Sequence, residues 1–424
     1  MELPGAWDER DLSEIDAKLA DTDSLLSRGY GGDSGSRQPV HTVYVPADSY
    51  RPSLPAQWGE EAADTVRRHG GMAALCQTLG LAEPMADLVA TKVSAKLNDE
   101  PVEDLRLDFE DGYGSRGDEI EDRDALAAAA AVAEAVSSHL APPFIGLRFK
   151  CLEATTRRRG LRTLGLFIAG LLEAGELPSG LVLTLPKVST VAQVEAMVLV
   201  CRRLEERHGL TPGRLQFEVQ METPQLVIGA DGTVPLAQLL HRADGRVSAL
   251  HYGTYDYSAS IGIAAAYQSM EHPAADFAKQ VMQVAAAGTG VRLSDGSTNI
   301  VPTGDENQVL DAWRLHARLV HRSLERGFYQ GWDMHPAQLV SRYIATYSFY
   351  RAGFPAAADR LKNYARHAAG SIMDEPATAR ALAGFVYRGV ACGAVADAEV
   401  RSLAGMSSAE LRAISHPATA RDRG

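Results

Sequence analysis

Two acidic residues follow two successive apolar segments and could together hold a metal ion. Glu222 comes directly after FEVQM, and Asp256 follows the next such segment, VSALHYGTY. Neighbouring strands lie ~4.8 Å apart, so carboxylates at two consecutive strand ends can reach one ion. Two carboxylates, with water or substrate at the other positions, are the pattern typical of Mg²⁺. Each acid alone also has a structural explanation: Glu222 as a helix N-terminal acid before Pro224, and Asp256 as a turn residue after Gly253.

A second group of acids lies in the stretch LRLDFEDGYGSRGDEIED, residues 105–122. Asp108, Glu110 and Asp111 crowd the end of a predicted strand there. Carboxylates gathered at one site hold a cation, accept hydrogen bonds from a basic side chain or orient a water. Arg148 ends the next predicted strand, and its planar guanidinium suits bidentate carboxylate binding. The structural alternative is an ion pair of Arg148 with Asp108 or Glu110.

The same stretch spells G-x-G-x-x-G at residues 112–117, the pattern of a dinucleotide-binding loop. Acidic residues precede these glycines and four more follow them, so a pyrophosphate would face like charge. The next strand end carries Arg148 and Lys150 instead of an acid for the ribose. We therefore predict a flexible loop that leads into a helix with an acidic first turn, which suits the helix dipole.

Other polar residues at strand ends are candidates for substrate binding. Lys187, in LPKVST, is either a second cation of the site or a cap on its strand. Backbone N–H groups around Thr254, Tyr255 and Asp256 could receive a carboxylate. His335, in DMHPAQL, could touch substrate or hydrogen-bond its own loop before Pro336, and the loop role is favoured.

The elements that must position these residues are short β-rich segments alternating with alanine- and leucine-rich stretches. Such alternation predicts a parallel sheet. Eight units indicate a (β/α)₈ barrel, with a doubly wound sheet as the alternative. Polar residues end most of the strands, Asp295 and Asp333 included, and this favours the barrel, whose active sites draw on many strands at one face. The predicted strands are 41–47, 104–111, 144–150, 180–188, 214–222, 247–256, 288–295 and 328–336.

The predicted barrel has additions at both ends. Residues 1–40 are expected to form an N-terminal extension that ends in a Gly/Ser-rich linker. Residues 41–340 would form the barrel, and residues 341–424, where strand signals stop, a C-terminal helical region.

Composition limits the partners and the compartment. The 42 basic and 54 acidic residues leave a formal charge of −12, which argues against nucleic acid or an anionic membrane as the main partner. Four cysteines without a C-x-x-C pair argue against a disulfide framework or a structural zinc site. Neither an apolar run of membrane-spanning length nor an N-terminal signal segment is apparent. We therefore expect a cytoplasmic location.

An ordered set of motifs carries a family resemblance. VYVPADSY, LDFEDGYG, GLRFK, LPKVST, METP, GTYDYSASIG and QGWDMHPAQL occur in this order. The sequence resembles, over residues 43–339, the citrate lyase β-subunit-like and HpcH/HpaI aldolase superfamily of phosphoenolpyruvate/pyruvate-type (β/α)₈ barrels. It departs from the family at Lys150, where Asn is usual, and in the glycine-rich loop, so it resembles a divergent branch.

The resemblance implies a reaction and a set of site residues. The expected reaction is Mg²⁺- (or Mn²⁺-) dependent carbon–carbon bond cleavage or formation by a lyase or aldolase. A 2-oxo acid reacts through a metal-stabilised enolate, with an aldehyde or acyl group as the second substrate. The resemblance implies that Glu222 and Asp256 bind the metal and that Arg148 grips the substrate. The resemblance also implies that the acidic loop, Asp108, Glu110 and Asp111, orients metal-bound water and the arginine. The expected catalytic residues are Arg148, Glu110 and Asp111, and the expected substrate-binding residues are Arg148, Lys187, Thr254 and Tyr255.

Two further functions stay open at this point. A coenzyme A thioester lyase or hydrolase would need a basic groove for the nucleotide phosphates. The one candidate, TTRRRGLR at 155–162, is more typical of a solvated helix start. A non-catalytic barrel subunit is the other alternative, and the joint presence of Glu222, Asp256 and Arg148 argues against it. The resemblance also implies a homo-oligomer, a trimer or hexamer.

Overall fold

Eight parallel strands form the centre of the computed structural model, which describes residues 7–365 and 375–416. Each strand pairs with its neighbour in the order β8-β1-β2-β3-β4-β5-β6-β7. A bridge between Ser294 and Gln330 joins β7 to the residue that precedes β8. The predicted (β/α)₈ barrel is therefore confirmed, with each strand lying inside its predicted range. The strands are β1 (His41–Pro46), β2 (Asp104–Asp108), β3 (Phe144–Arg148), β4 (Leu181–Leu185), β5 (Phe217–Met221), β6 (Val247–Tyr252), β7 (Arg292–Ser294) and β8 (Gly331–Asp333).

Helices follow the strands and surround the barrel. Before β5 the chain forms α1 (Glu9–Gly29), α2 (Leu54–Arg68), α3 (Met72–Thr78), α4 (Met85–Asp99), α5 (Asp118–Ser137), α6 (Arg157–Ala174) and α7 (Val191–His208). After β5 come α8 (Pro224–Val227), α9 (Pro235–Arg242), α10 (Thr254–Ser260), α11 (Pro273–Ala286) and α12 (Glu306–Glu325). The last four are α13 (Pro336–Ala365), α14 (Pro376–Ala391), α15 (Asp397–Ala404) and α16 (Ser408–Ser415).

Strand β5 illustrates how the barrel wall is built. Phe217, Val219 and Met221 belong to the apolar core, whereas Glu218 and Gln220 between them bond to polar groups of other strands. Side chains alternate between the two faces of a strand. The apolar residues therefore pack against the surrounding helices, and the polar residues point into the barrel.

The interior of the barrel holds a buried ionic cluster. Arg106 Nη2 donates to Glu218 Oε2 at 2.7 Å, its Nε donates to Thr184 Oγ1 at 3.1 Å, and its Nη1 bonds Asp104. Burial opposes ionisation of Glu218, but Arg106 and His251 outweigh it and hold the pKa of Glu218 well below its usual value. This cluster ties four strands together beneath the site.

The ends of the chain add helices to the barrel. The predicted boundary at 340/341 lies inside α13, which runs from β8 into the C-terminal region. Helices α13 to α16 share a small apolar core of their own, which includes Phe354, Val386, Val400 and Leu411. Within the described residues, no helix is both long and apolar enough to cross a membrane.

Candidate active site

The carboxyl ends of β2 to β6 bring most of the predicted residues to one mouth of the barrel. Asp108 ends β2 and Arg148 ends β3, and the two are direct partners in the strand register. Lys187 follows β4 by two residues, and Glu222 comes directly after β5. Asp256 lies in the first turn of α10, after β6. Parallel strands place all of these ends at the same face.

Arg148 is buried and paired. Its Nε and Nη2 donate to the two carboxylate oxygens of Asp108, both at 2.7 Å, so the ion pair given above as the structural alternative is present. Nη1 lies 3.5 Å from Glu110 Oε2 and 3.5 Å from Gln220 Oε1. Burial would lower the pKa of Arg148, but the negative charge of Asp108 outweighs this effect and raises the pKa. One edge of the guanidinium is therefore held by Asp108, and Nη1 is directed toward the acidic loop.

Glu222 is a buried carboxylate beside a second acid. Its Oε1 accepts a hydrogen bond from the Lys187 backbone N–H at 2.7 Å. Burial, and then repulsion by Asp256, raises the pKa of Glu222 to about 7. A Cβ on Gly253 would lie 2.5 Å from Glu222 Cβ and 2.6 Å from its Oε2. The absence of a side chain at Gly253 therefore leaves room for the Glu222 side chain.

The ammonium group of Lys187 lies among three carboxylates. Nζ is 2.7 Å from Glu110 Oε1, 2.7 Å from Asp111 Oδ1 and 3.6 Å from Asp256 Oδ2. Burial opposes its charge, but hydrogen bonds to Asp111 and Glu110 outweigh this and raise the pKa of Lys187. Its backbone has φ +51°, in the left-handed region that side chains other than glycine seldom adopt. Such strain at a strand end is typical of functional sites.

Glu110 and Asp111 have opposite pKa shifts. Burial is the main cause that raises the pKa of Glu110, and its hydrogen bond with Asp111 adds to the effect. Burial also acts on Asp111, but hydrogen bonds with Glu110 and Lys187 outweigh it and lower the pKa. The two neighbouring carboxyl groups therefore titrate as a coupled pair whose pKa values are driven apart.

The oxygen donors at the mouth suit a hard divalent ion. Glu222 and Asp256 are close enough for Asp256 to shift the pKa of Glu222. Across residues 7–365 and 375–416, no three His, Cys, Asp or Glu side chains form a ready metal cluster. Mg²⁺ is commonly held by one or two carboxylates plus water and substrate oxygens, so a two-carboxylate site fits it.

Thr254 and Tyr255 are tied to the loop that follows β7. Thr254 Oγ1 accepts from the Ser297 backbone N–H at 3.2 Å, and the Tyr255 hydroxyl accepts from the Asn299 N–H at 2.6 Å. Their side chains therefore hold this loop against the start of α10. Substrate binding by their backbone N–H groups stays a prediction.

Two acids expected at the mouth lie elsewhere. Asp295 bonds Lys279 on α11 at 2.9 Å, and Asp333 bonds Arg342 on α13 at 2.7 Å. Both carboxylates are buried between the barrel and its helices, so their expected place at the mouth is wrong. A one-residue difference in strand register sends a side chain to the opposite face. His335 does bond its own loop, because its Nδ1 accepts from the Ala337 N–H at 3.1 Å.

The glycine motif has a structural explanation in this fold. The Gly112 N–H donates to Asp108 Oδ2 at 2.8 Å, and a Cβ on Gly112 would lie 2.7 Å from that oxygen. Gly114 and Gly117 have φ of +75° and +84°, and α5 follows with an acidic first turn. The loop therefore positions the Asp108 carboxylate, which holds Arg148.

Three residues of the site were not predicted from the sequence. The Arg148 guanidinium lies 4.7 Å from the centre of the Tyr44 ring and 5.7 Å from that of Trp332, and Gln220 faces its Nη1. A signal for Gln220 was available, because polar residues occupy every second position from Glu218 to Glu222. That period indicates a polar barrel interior. No comparable signal distinguishes the two aromatic residues.

The basic stretch 155–162 is engaged by a neighbouring helix. Arg162 makes a bidentate contact with Asp122 of α5, from Nε to Oδ1 and from Nη2 to Oδ2, and Arg159 bonds the same carboxylate. The hydrogen bond from Arg162 is the main cause that lowers the pKa of Asp122 to about 2. Two of the arginines proposed for nucleotide phosphates are thus committed to an ion pair on the outer helical layer.

Comparison with known families shows to which family the chain belongs. The model described as "Domain of unknown function (DUF6986)" matches residues 19–419. The chain belongs to the DUF6986 family. No curated protein matches the sequence.

Several solved structures are similar to this DUF6986 protein. Haloferax volcanii malate synthase, as its magnesium/glyoxylate complex, is 14% identical, with 89% of this chain and 97% of that chain covered and a TM-score of 0.48. CitE from Mycobacterium tuberculosis, in complex with magnesium, acetoacetate and coenzyme A, is 17% identical, with coverages of 85% and 99% and a TM-score of 0.49. An HpcH/HpaI aldolase/citrate lyase family protein from Burkholderia cenocepacia J2315 is 15% identical, with coverages of 75% and 95% and a TM-score of 0.41. Likenesses this distant carry no argument about activity.

Proposed function

We propose that this protein is a Mg²⁺-dependent carbon–carbon lyase or aldolase acting on a 2-oxo acid, from a divergent branch of the citrate lyase β-like barrels. The observation that supports it most is the setting of Glu222. This buried carboxylate accepts a hydrogen bond from the Lys187 backbone N–H, and burial and repulsion by Asp256 raise its pKa to about 7. Carboxylates gathered in this way at a barrel mouth favour a cation.

Each residue has a chemical role in this proposal. A divalent ion held by Glu222 and Asp256 would supply Lewis-acid stabilisation for the carboxylate and carbonyl oxygens of the substrate. Arg148, oriented by Asp108, contributes a fixed positive charge and the Nη1 donor where negative charge develops. A carboxylate of the acidic loop, Glu110 or Asp111, or a water that it orients, would transfer the proton as the carbon–carbon bond breaks or forms.

Proton exchange at the methyl group of pyruvate tests the proposal without knowledge of the second substrate. We expect ¹H NMR in deuterated water to show exchange that requires Mg²⁺ or Mn²⁺ and stops with EDTA. Exchange in acetyl-coenzyme A but not in pyruvate would favour the coenzyme A alternative. Absence of both exchange and an ion-dependent shift in melting temperature would contradict the proposal and favour a non-catalytic barrel.

The first prediction concerns Lys187, whose ammonium group lies 3.6 Å from Asp256, one of the two proposed metal ligands. Lys187→Met should strengthen Mg²⁺ binding about 5-fold, as expected for loss of a partly exposed charge worth ~1 kcal/mol. Isothermal titration calorimetry measures this directly. Lys92→Met on α4 removes the same charge away from the mouth and should leave the affinity unchanged. Weaker Mg²⁺ binding in Lys187→Met would show instead that Lys187 organises the acids.

The second prediction concerns Gly253, which lies against Glu222. Gly253→Ala should weaken Mg²⁺ binding about 10-fold or more, because the new methyl group displaces the Glu222 carboxylate. Gly165→Ala is the matched control, since no heavy atom lies within 4 Å of its added Cβ. That variant should bind Mg²⁺ as the wild type does. Unchanged Mg²⁺ affinity in Gly253→Ala would remove Glu222 from the proposed ligands.

A further inference from the structure

Helix α1 is exposed along its whole length. None of its 21 residues is buried. The chain after it is held to the barrel, because the Tyr30 ring contacts the His241 ring of α9 at a tilt and the Gly32 N–H donates to the Gly288 carbonyl at 2.9 Å. In proteins most of the stability of a helix comes from packing of its apolar face against another surface. Helix α1 therefore needs a partner surface.

One face of α1 is an apolar stripe. Leu12, Ile15, Leu19 and Leu26 follow the spacing i, i+3, i+7 and i+14, which places them on one side of a helix. Each is between 41% and 53% exposed. Stripes with this spacing are typical of helices that pack against another helical surface.

The helix is acidic as well as amphipathic. It carries six acidic and three basic residues. By helical geometry, Asp11, Asp16 and Asp23 flank the stripe, whereas Arg10 lies on the opposite side. Pairing of two copies of α1 along the stripe would bring these acids together. The charge pattern therefore favours a basic surface over a second copy of the same helix.

A groove with complementary chemistry lies on the outside of the barrel. It has a volume of about 910 Å³ and runs between the 78–85 segment, α12 and α13. Its apolar lining includes Leu79, Leu81, Met85 and Ile344. A groove of this kind accepts the apolar face of an amphipathic helix.

The rim of the groove is basic. Arg314, Arg318, His321 and Arg322 line it together with one acid, Glu325, and Arg322 is already paired with Asp276. The side chains of Arg314 and Arg318 are 52% and 54% exposed. Each already contacts one carboxylate outside the groove. Because a guanidinium has five N–H donors, both arginines can also donate to a second carboxylate.

We propose that α1 of one copy docks in this groove of a second copy. The Leu12–Leu26 stripe covers the apolar floor, and the flanking aspartates face the arginine rim. The contact joins two different surfaces of the same chain, so it is either exchanged reciprocally between two copies or repeated around a ring. This interface is independent of the proposed reaction.

Cysteine cross-linking tests the docking in the full-length protein. All four native cysteines are buried, so introduced surface thiols react selectively. One tagged chain carries Leu19→Cys, and a differently tagged chain carries Ala352→Cys at the groove. Mixing them under mild oxidation should yield a disulfide between the two chains. Ala17→Cys, on the opposite face of α1, should not cross-link.

Three outcomes would overturn the proposal. Cross-linking of Leu19→Cys to itself in preference to Ala352→Cys would show pairing of two α1 helices. A disulfide formed only within a chain that carries both substitutions would show docking on the same copy. Absence of any cross-link would exclude the groove as the site.

Light scattering after gel filtration gives an independent measurement. The wild type should be oligomeric, and Leu19→Asp should weaken self-association about 10-fold or more, the equivalent of ~1.4 kcal/mol. Ala17→Asp adds the same charge to the other face and should behave as the wild type. A monomeric wild type, or a Leu19→Asp variant that associates normally, would contradict the proposal.

Discussion

Arg148→Lys should lower kcat about 100-fold while the protein still folds, by analogy with loss of one donor to a developing oxyanion. The Asp108 carboxylate holds Nε and Nη2 of the arginine, and Nη1 reaches toward Glu110 and Gln220. A lysine ammonium can remain paired with Asp108, but it cannot also present a second donor in a fixed direction. The effect on KM should be smaller, because negative charge builds on the substrate only as the bond breaks.

The rate of pyruvate methyl exchange and a melting curve measure this effect. Arg162→Lys is the matched control, because Arg162 also makes a bidentate contact with an aspartate but lies on the outer helical layer. It should exchange pyruvate protons as fast as the wild type. Wild-type exchange in Arg148→Lys, together with a small loss of thermal stability, would assign Arg148 a purely structural role in its pair with Asp108.

Glu222→Gln should abolish the stabilisation of the protein by Mg²⁺. For the wild type, an ion at 100 times its Kd adds about 2.7 kcal/mol to the free energy of unfolding. The variant loses one of the two proposed carboxylate ligands and should show no such gain. At about pH 8 in EDTA it should be at least as stable as the wild type, because substitution removes a buried negative charge that Asp256 repels. The amide oxygen can still accept from the Lys187 N–H.

Thermal melting with Mg²⁺ and with EDTA separates the two effects. Asp256→Asn should lose the Mg²⁺-dependent gain in the same way. Glu195→Gln, at an exposed position of α7, should retain it in full. A Glu222→Gln variant that keeps the wild-type Mg²⁺ shift would show that Glu222 is not a ligand.

Much of the fold could be predicted because its signals are local. The capping box of Thr190 and Gln193 and the left-handed Gly209 mark the two ends of α7, and all three residues lie in or directly beside that helix in the sequence. Apolar segments of strand length, separated by helices, indicate parallel strands, since parallel strands need such crossovers. The candidate site residues at the ends of β2 to β6 could be predicted for the same reason.

The sequence by itself determined the eight-stranded barrel, the face that carries the candidate site and the acidic, basic and glycine residues available there. Tertiary structure alone decided which polar residues reach the mouth. Asp295 and Asp333, like Asp108, lie at the end of a predicted strand, yet their side chains point outward to Lys279 and Arg342. The face on which a strand-end side chain lies depends on how the strands pair when the barrel closes. Tertiary structure also decided that Asp108 occupies one edge of Arg148 and that the Lys187 ammonium lies among the acids. Those contacts join residues from different strands, and local sequence patterns carry no information about such pairs.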